Sequence, residues 1–420
     1  MTKPKENIVV FEHEILRFDR GEKKITEDQF KALERYHGNG VPFFKLVYNG
    51  VQFNEHVGVL QVGSTLIEVL PKADRNPHSE KEDKKWRDLL IGMLQAVRSF
   101  DIKSSSSSHL KIKPNTVLDL YFEMYVKEIE YLLHTGLIKK YRKKECNVTA
   151  LKGSLQFSKH IQYNLTHKER FYVRHTTYDV EHTLHFILYK AIKLLKQINT
   201  NQSLHSRIGA LLLHFPEMPD IKVTEATFEK LVFNRKNQHY SKAIEIAKLL
   251  LLQYHPDVSK GRNHVLALMF DMNLLWEQFI YVSLRKNREH FAKVKAQTSK
   301  YFWKPQGGRR ASMKPDIFIQ TKADIKIVLD TKWKNLNGCN PSPDDLRQMY
   351  VYHQYFNAQK VALVYPGKKE HSKKGQYLTS EGEITEKHCA VISIDVIESC
   401  KDWQKQIIAT ITEWITMVEN

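Results

Sequence analysis

Met313-Lys-Pro-Asp-Ile-Phe-Ile319, a polar break from Gln320 to Asp324, and Ile325-Lys-Ile-Val-Leu-Asp-Thr-Lys-Trp333 decide how this chain is read. The runs Ile317 to Ile319 and Ile325 to Leu329 are apolar and β-rich, and the break between them has the composition of a hairpin turn. Antiparallel pairing about the middle of that turn sets Asp316 directly across from Asp330. Residues facing each other across a pair share one face of a sheet, as do residues two apart on one strand. Asp316, Asp330 and Lys332 therefore gather at one end of the hairpin, pointing the same way. Ile317, Ile319, Ile327 and Leu329 fall on the opposite face, against a core.

Two carboxylates held side by side repel unless a cation sits between them. Hard oxygen donors of this kind suit Mg²⁺, with Mn²⁺ as an alternative, and the carbonyl of Thr331 can add a ligand. A metal here acidifies a bound water and polarises a phosphoryl oxygen, while Lys332 orients the attacking hydroxide or offsets charge on a pentacovalent phosphate. That chemistry is metal-assisted phosphodiester hydrolysis. A surface hairpin with scattered charges also satisfies a generic Pro-Asp plus Asp-x-Lys pattern, so these residues alone leave both readings open.

Composition narrows the partners. In 420 residues, 65 Lys and Arg face 47 Asp and Glu, a net charge of +18. An excess of that size favours a polyanion, and without a membrane motif nucleic acid leads. No apolar run approaches the ~20 residues that span a bilayer, and the opening Met-Thr-Lys-Pro-Lys-Glu-Asn lacks a signal-peptide core. Cys146, Cys339, Cys389 and Cys400 are far apart and form no Cys-x-x-Cys pair, which fits reduced thiols and a cytoplasmic protein. No His-Glu-x-x-His spacing occurs among the histidines, and no Gly-x-x-x-x-Gly-Lys-Ser/Thr loop cradles a nucleotide.

Three segments are expected. Residues 1–100 read as a small β-rich domain, a barrel or sandwich, with a helix over Thr26 to Tyr36, a hairpin at Asn49-Gly50, and a closing helix from Trp86 to Phe100. Residues 101–258 read as a mixed helical and β region: a flexible serine run, Ser104 to Ser108; helices over Val117 to His134, Tyr178 to Thr200, Leu204 to Leu213 and His239 to Tyr254; and strands between Leu137 and Phe157. The basic run Lys139 to Lys144 lies there, either a solvated face or a contact for an acidic partner. After a boundary near Pro256 to Arg262, residues 259–420 read as an α/β domain. A helix over Val265 to Arg285 precedes strands over Val294 to Tyr301, Ile317 to Ile319 and Ile325 to Leu329. A crossover helix over Asp344 to Phe356, strands over Lys360 to Tyr365 and Cys389 to Ile394, and a final helix over Asp402 to Val418 complete it.

Several residues of that domain are further candidates. Glu277 can bring a third acidic group to the Asp pair, though a solvated helix glutamate fits equally. Gln348 and Tyr352, four apart on one helix face, suit hydrogen bonding near a phosphate. Tyr301-Phe302-Trp303-Lys304 and Gly307-Gly308-Arg309-Arg310 combine rings for base stacking with cations for phosphates, or else close a core strand. Lys304, Arg309, Arg310, Lys334, Arg347 and Tyr352 are taken as the DNA contacts.

In this order, these residues resemble the McrC family, the nuclease subunits of McrBC modification-dependent restriction systems. Pro315-Asp316 and Asp330-Thr331-Lys332 match the PD-(D/E)xK nuclease pattern, Gln348 and Tyr352 the helix motif of RecB-like members, and Leu275-Trp276-Glu277-Gln278-Phe279 the first nuclease helix. Ala362 to Pro366 resembles the later core strand. Upstream, Val57-Gly58-Val59, Ile67 to Lys72, Gly136 to Lys139, Leu151 to Leu155, Arg235 and Tyr240 follow the family in sequence order. The pattern departs at His182 and Phe186, where the family has an acidic residue and an asparagine. The resemblance implies a Mg²⁺-dependent DNA endonuclease subunit whose amino-terminal half, with residues 101–258 as a stalk region, enters the pore of an McrB-like AAA+ ring, which binds GTP and reads modified cytosine while this chain stimulates its GTPase. A non-catalytic activator of an AAA+ complex, and a standalone PD-(D/E)xK nuclease, are the alternatives.

Overall fold

Residues 7–70 break into short apolar runs separated by Gly, Asn and charged residues, a pattern that favours strands and turns. In the computed structural model they form β1 (Asn7–Phe11), β2 (Ile15–Arg17), α1 (Glu27–His37), β3 (Phe44–Val47), β4 (Gly50–Phe53), β5 (His56–Val62) and β6 (Thr65–Leu70). The structure describes residues 7–38, 40–63, 65–73, 79–97, 116–199, 201–255, 265–286 and 291–416. Thr26 and Gln29 bond each other reciprocally at the start of α1, satisfying amides that a helix end otherwise leaves bare. Asn49, at φ 55, turns β3 into β4; a short polar side chain tolerates that left-handed conformation. Ile8, Val10, Leu33, Phe44, Phe53, Leu60 and Val69 share one core. The next helix, α2 (Glu80–Val97), starts earlier than the expected Trp86, because its charged first turn is exposed helix rather than loop.

Residues 110–255 form a compact unit of their own: α3 (Val117–Thr135), β7 (Lys140–Val148), β8 (Ser154–Leu155), α4 (Phe157–Asn164), β9 (Phe171–Asp179), α5 (Thr183–Ile198), α6 (Gln202–His214), α7 (Glu225–Glu229), α8 (Ser241–Leu252) and β10 (Tyr254–His255). β9 takes residues at the edge of an expected helix and pairs with both β7 and β8. The serine run and the Pro256 to Arg262 boundary lie outside the described residues.

The remaining elements are β11 (Val265–Asp271), α9 (Met272–Lys286), β12 (Phe291–Ala296), β13 (Lys300–Trp303), β14 (Ala311–Met313), β15 (Ile317–Thr321), β16 (Lys326–Thr331), α10 (Pro343–Phe356), β17 (Lys360–Pro366), β18 (Lys373–Leu378), β19 (Ile384–Ile394) and α11 (Cys400–Thr416). The helix expected from Val265 therefore begins with a strand. Val265-Leu-Ala-Leu-Met-Phe is apolar throughout, and such a run reads equally as buried helix or buried strand. β11 pairs antiparallel with β5, Val265 with Val62 through Asp271 with His56. That pairing places residues 1–109 and 256–420 in one compact unit, where the sequence suggested separate domains over 1–100 and 259–420.

Gly58 makes the pairing possible. It sits at φ 140, and a Cβ there would come within 2.0 Å of the Leu268 carbonyl oxygen. Gly58→Ala is expected to destabilise this unit by about 2–3 kcal/mol, read as a lower denaturation midpoint with an unchanged slope.

The second sheet runs β12-β15-β16-β17-β19-β18. Its centre, β16-β17-β19, is parallel, and β12, β15 and β18 are antiparallel to their neighbours. α10 provides the long connection that parallel β16 and β17 require, and packs Met349, Tyr352 and Phe356 against Val328, Val361 and Leu363. On α9 and α11, Trp276 stacks on Trp403 at 5.1 Å, and Trp333 meets both Trp276 and Trp86 edge-on. Among the described residues no helix is long and apolar enough to cross a membrane, and no disulfide joins the four cysteines.

Candidate active site

The turn fixes the register of β15 and β16: the Thr321 amide donates to the Ile325 carbonyl at 3.0 Å and the Asp324 amide to the Thr321 carbonyl at 3.1 Å, closing the hairpin over Gln320 to Asp324. Ile317 pairs with Leu329 and Ile319 with Ile327, and all four are fully buried. Continued by one step, this register sets Asp316 opposite Asp330, as the sequence required. Asp316 Oδ2 accepts hydrogen bonds from the Thr331 amide at 2.6 Å and the Thr331 hydroxyl at 2.9 Å. Thr331 thus fixes the first carboxylate in place.

Asp330 is 1 % exposed. Its Oδ2 lies 2.9 Å from Lys332 Nζ but without the alignment of a hydrogen bond, and accepts no other hydrogen bond among the described residues. Burial, and then the nearby Asp316 charge, push the Asp330 carboxyl up to about 6. Burial works against the Lys332 ammonium, yet Asp330, Asp345 and Asp316 outweigh it and hold its pKa above the ordinary lysine value. Asp345 approaches Lys332 at 3.9 Å and Lys334 at 3.2 Å. It is held by a bond from its amide to the Ser342 hydroxyl at the start of α10. Burial opposes its charge, but the Ser342 bond and the two lysines keep its pKa below the usual aspartate value.

Glu277, on α9, is 9 % exposed. Burial first, then Asp316, raise its carboxyl to about 7. Gln297 donates its side-chain amide to Glu277 Oε1 at 2.9 Å and its backbone amide to the Asp316 carbonyl at 2.8 Å. It does so from φ 49, a left-handed conformation that costs a non-glycine residue of order 1 kcal/mol or more. Gln348 donates to the Tyr352 hydroxyl at 2.7 Å, as their spacing suggested.

Asp316, Asp330, Lys332 and Glu277 therefore meet, with Thr331 as a brace. Two members were missed from sequence. Asp345 follows Ser342 by three residues at a helix start, a capping spacing that was available to be read; Gln297 carries no comparable signal. The expected DNA contacts divide. Lys304, Arg309 and Arg310 are exposed on and beside β13 and β14. Arg347 is exposed and pairs with Asp344, whereas Lys334 is drawn to Asp345. Tyr352 is a correction: at 3 % exposure its ring belongs to the α10 core and cannot lie against a DNA strand.

Among the described residues no three His, Cys, Asp or Glu side chains form a ready-made metal cage. The donor set nevertheless suits a hard divalent cation. A buried carboxylate oxygen lacks an aligned donor, and the Asp316 charge raises the pKa of both Asp330 and Glu277, a repulsion that a cation relieves.

The model of the family described as "McrBC 5-methylcytosine restriction system component" matches residues 51–366. The chain belongs to this family. The McrBC match takes in Asp316, Asp330 and Lys332 and ends with the last residue of β17. The fold is also similar to a chain of the refined half-complex from a tetradecameric assembly of Thermococcus gammatolerans McrB AAA+ hexamers with bound McrC. That similarity has a TM-score of 0.67 at 20% identity and covers 97% of this chain and 100% of the other. A chain of the cryo-EM Thermococcus gammatolerans McrBC complex aligns at 20% identity and TM-score 0.46, over 67% of this chain and 88% of that one. Among curated proteins none matches.

Proposed function

We propose that this chain is the Mg²⁺-dependent DNA endonuclease subunit of an McrBC complex, with a PD-(D/E)xK nuclease site at the β15–β16 hairpin. The observation that carries this is the meeting of Asp316, Asp330 and Lys332 at one strand end, with the buried Asp330 Oδ2 ion-paired to Lys332 at 2.9 Å but lacking an aligned hydrogen-bond donor. Asp316, Asp330 and the Thr331 carbonyl would hold the metal, Mg²⁺ or Mn²⁺. When bound, it supplies an acidified water and polarises a phosphoryl oxygen. Lys332, restrained by Asp330 and Asp345, offsets the charge that builds on the phosphate as a fifth oxygen joins it. Gln297 keeps Glu277 close to the pair, and Gln348 orients the Tyr352 hydroxyl behind them. Double-stranded DNA is the substrate.

The partner is an McrB-like AAA+ ring, which binds GTP and whose GTPase this chain stimulates. Residues 110–255 would contact it. Phe157, Ile161 and Leu165, spaced one helical turn apart, are 70%, 60% and 74% exposed, the kind of apolar stripe that protein partners cover. Thermal shift with Mn²⁺ or Mg²⁺ tests the metal site. At a free metal concentration a hundredfold above Kd the protein gains about 2.7 kcal/mol, and Asp330→Asn removes that gain. A chain with no metal-dependent shift would be the non-catalytic activator instead.

A further inference from the structure

β13 and β14 form a two-stranded ribbon separate from the six-stranded sheet. Both of its roots lie at the acidic cluster. Gln297, which grips Asp316 and Glu277, precedes β13 by three residues, and Asp316 follows β14 by three. At no more than ~3.6 Å per residue, the first aromatic of the ribbon stays within roughly 15 Å of that cluster.

Met313 packs on the α10 core, but the aromatic side chains of β13 stay exposed. Tyr301, Phe302 and Trp303 are 67%, 48% and 58% exposed. Tyr301 pairs with Ser312 and Trp303 with Ala311, with a one-residue irregularity between them. Paired residues share a face and Ser312 and Ala311 alternate, so the bulge sends Tyr301 and Trp303 to opposite faces and neither ring shields the other. Phe302 and Lys300 anchor the ribbon on α10: Phe302 meets Tyr355 edge-on at 6.4 Å, and Lys300 donates to the Tyr355 carbonyl at 2.7 Å. From Thr298 to Pro315 there are five cations, Lys300, Lys304, Arg309, Arg310 and Lys314, and no acid. The Arg310 guanidinium lies 5.6 Å from the Tyr301 ring centre.

We infer that this ribbon binds an unpaired DNA strand beside the cleavage site, stacking bases on Tyr301 and Trp303 and contacting phosphates through Lys304, Arg309 and Arg310. The chemistry selects the occupant. Within a duplex the base faces are already stacked on one another, whereas a single strand offers each π-face to a ring, worth about 1–3 kcal/mol per base. Acid-free charge calls for a polyanion, and a second copy of a chain of net charge +18 is repelled. The role beside a cut strand rests on the nuclease reading; the binding itself does not.

The test therefore leaves cleavage out. The full chain is titrated in chelator, at fixed salt, with a labelled oligothymidylate and with a duplex of equal length, by fluorescence anisotropy. The single strand is expected to bind more tightly. The double variant Tyr301→Ala/Trp303→Ala is expected to lose roughly tenfold or more on the single strand while duplex affinity stays within about twofold. Tyr301→Phe/Trp303→Phe, which keeps both rings, should restore most of the loss and controls for folding. Equal affinity for the two DNAs, or undiminished single-strand binding by the alanine variant, overturns the inference. Neither outcome touches the metal site, which Asp330→Asn tests separately.

Discussion

Asp330→Asn is expected to abolish DNA cleavage by the chain assembled with its partner ring, by at least about a thousandfold, or about 4 kcal/mol of transition-state stabilisation. The side chain keeps its shape and loses its charge, so the buried β16 position remains filled. Partner binding and the far-ultraviolet spectrum should be unchanged, and the metal-induced thermal shift should vanish together with cleavage. Lys332→Ala should lose cleavage comparably but keep the thermal shift, because the lysine offsets charge on the phosphate and does not hold the metal. An Asp330→Asn complex that still cuts would remove Asp330 from the site.

The second large effect concerns Glu12, just past β1. It is 7 % exposed, and Oε1 accepts from the Lys72 amide and the Trp333 indole, both at 2.8 Å. Burial dominates over those bonds and raises its carboxyl from 4.5 to about 7. Between those two values the folded protein holds a proton that the unfolded chain has released. Stability therefore falls as pH rises through that window and stays lower above it. Glu12→Gln keeps an acceptor for both donors and removes the buried charge. At pH 8 it should stabilise the protein by up to about 3 kcal/mol, with little effect at pH 4. Denaturant melts at the two pH values check this; equal gains at both would show that ionisation of Glu12 is not the cause.

How far the sequence could be read depended on how local the determining interaction is. The β15–β16 register needed only two apolar runs and the turn between them, so the Asp316, Asp330 and Lys332 arrangement was legible. The α10 pair, Gln348 with Tyr352, followed from helical spacing alone. Tyr352's burial did not, because it depends on β17 packing beneath α10. The strand at Val265 was misread because what selects strand there is an unpaired edge on β5, distant in sequence. Gln297 was invisible for a similar reason: its value lies in an unusual backbone conformation and in two partners from other elements.

The β5–β11 pairing has a consequence for how this protein is made. β5 leaves the ribosome about two hundred residues ahead of β11. At synthesis rates of about 5–20 residues per second, the wait is on the order of 10–40 s. During that interval the nascent amino-terminal half presents an open row of backbone donors and acceptors, a template for wrong pairing with neighbouring chains. Soluble yield should therefore depend on chaperone supply and growth temperature during translation, and supplying the carboxy-terminal half as a separate polypeptide should rescue a truncated amino-terminal fragment.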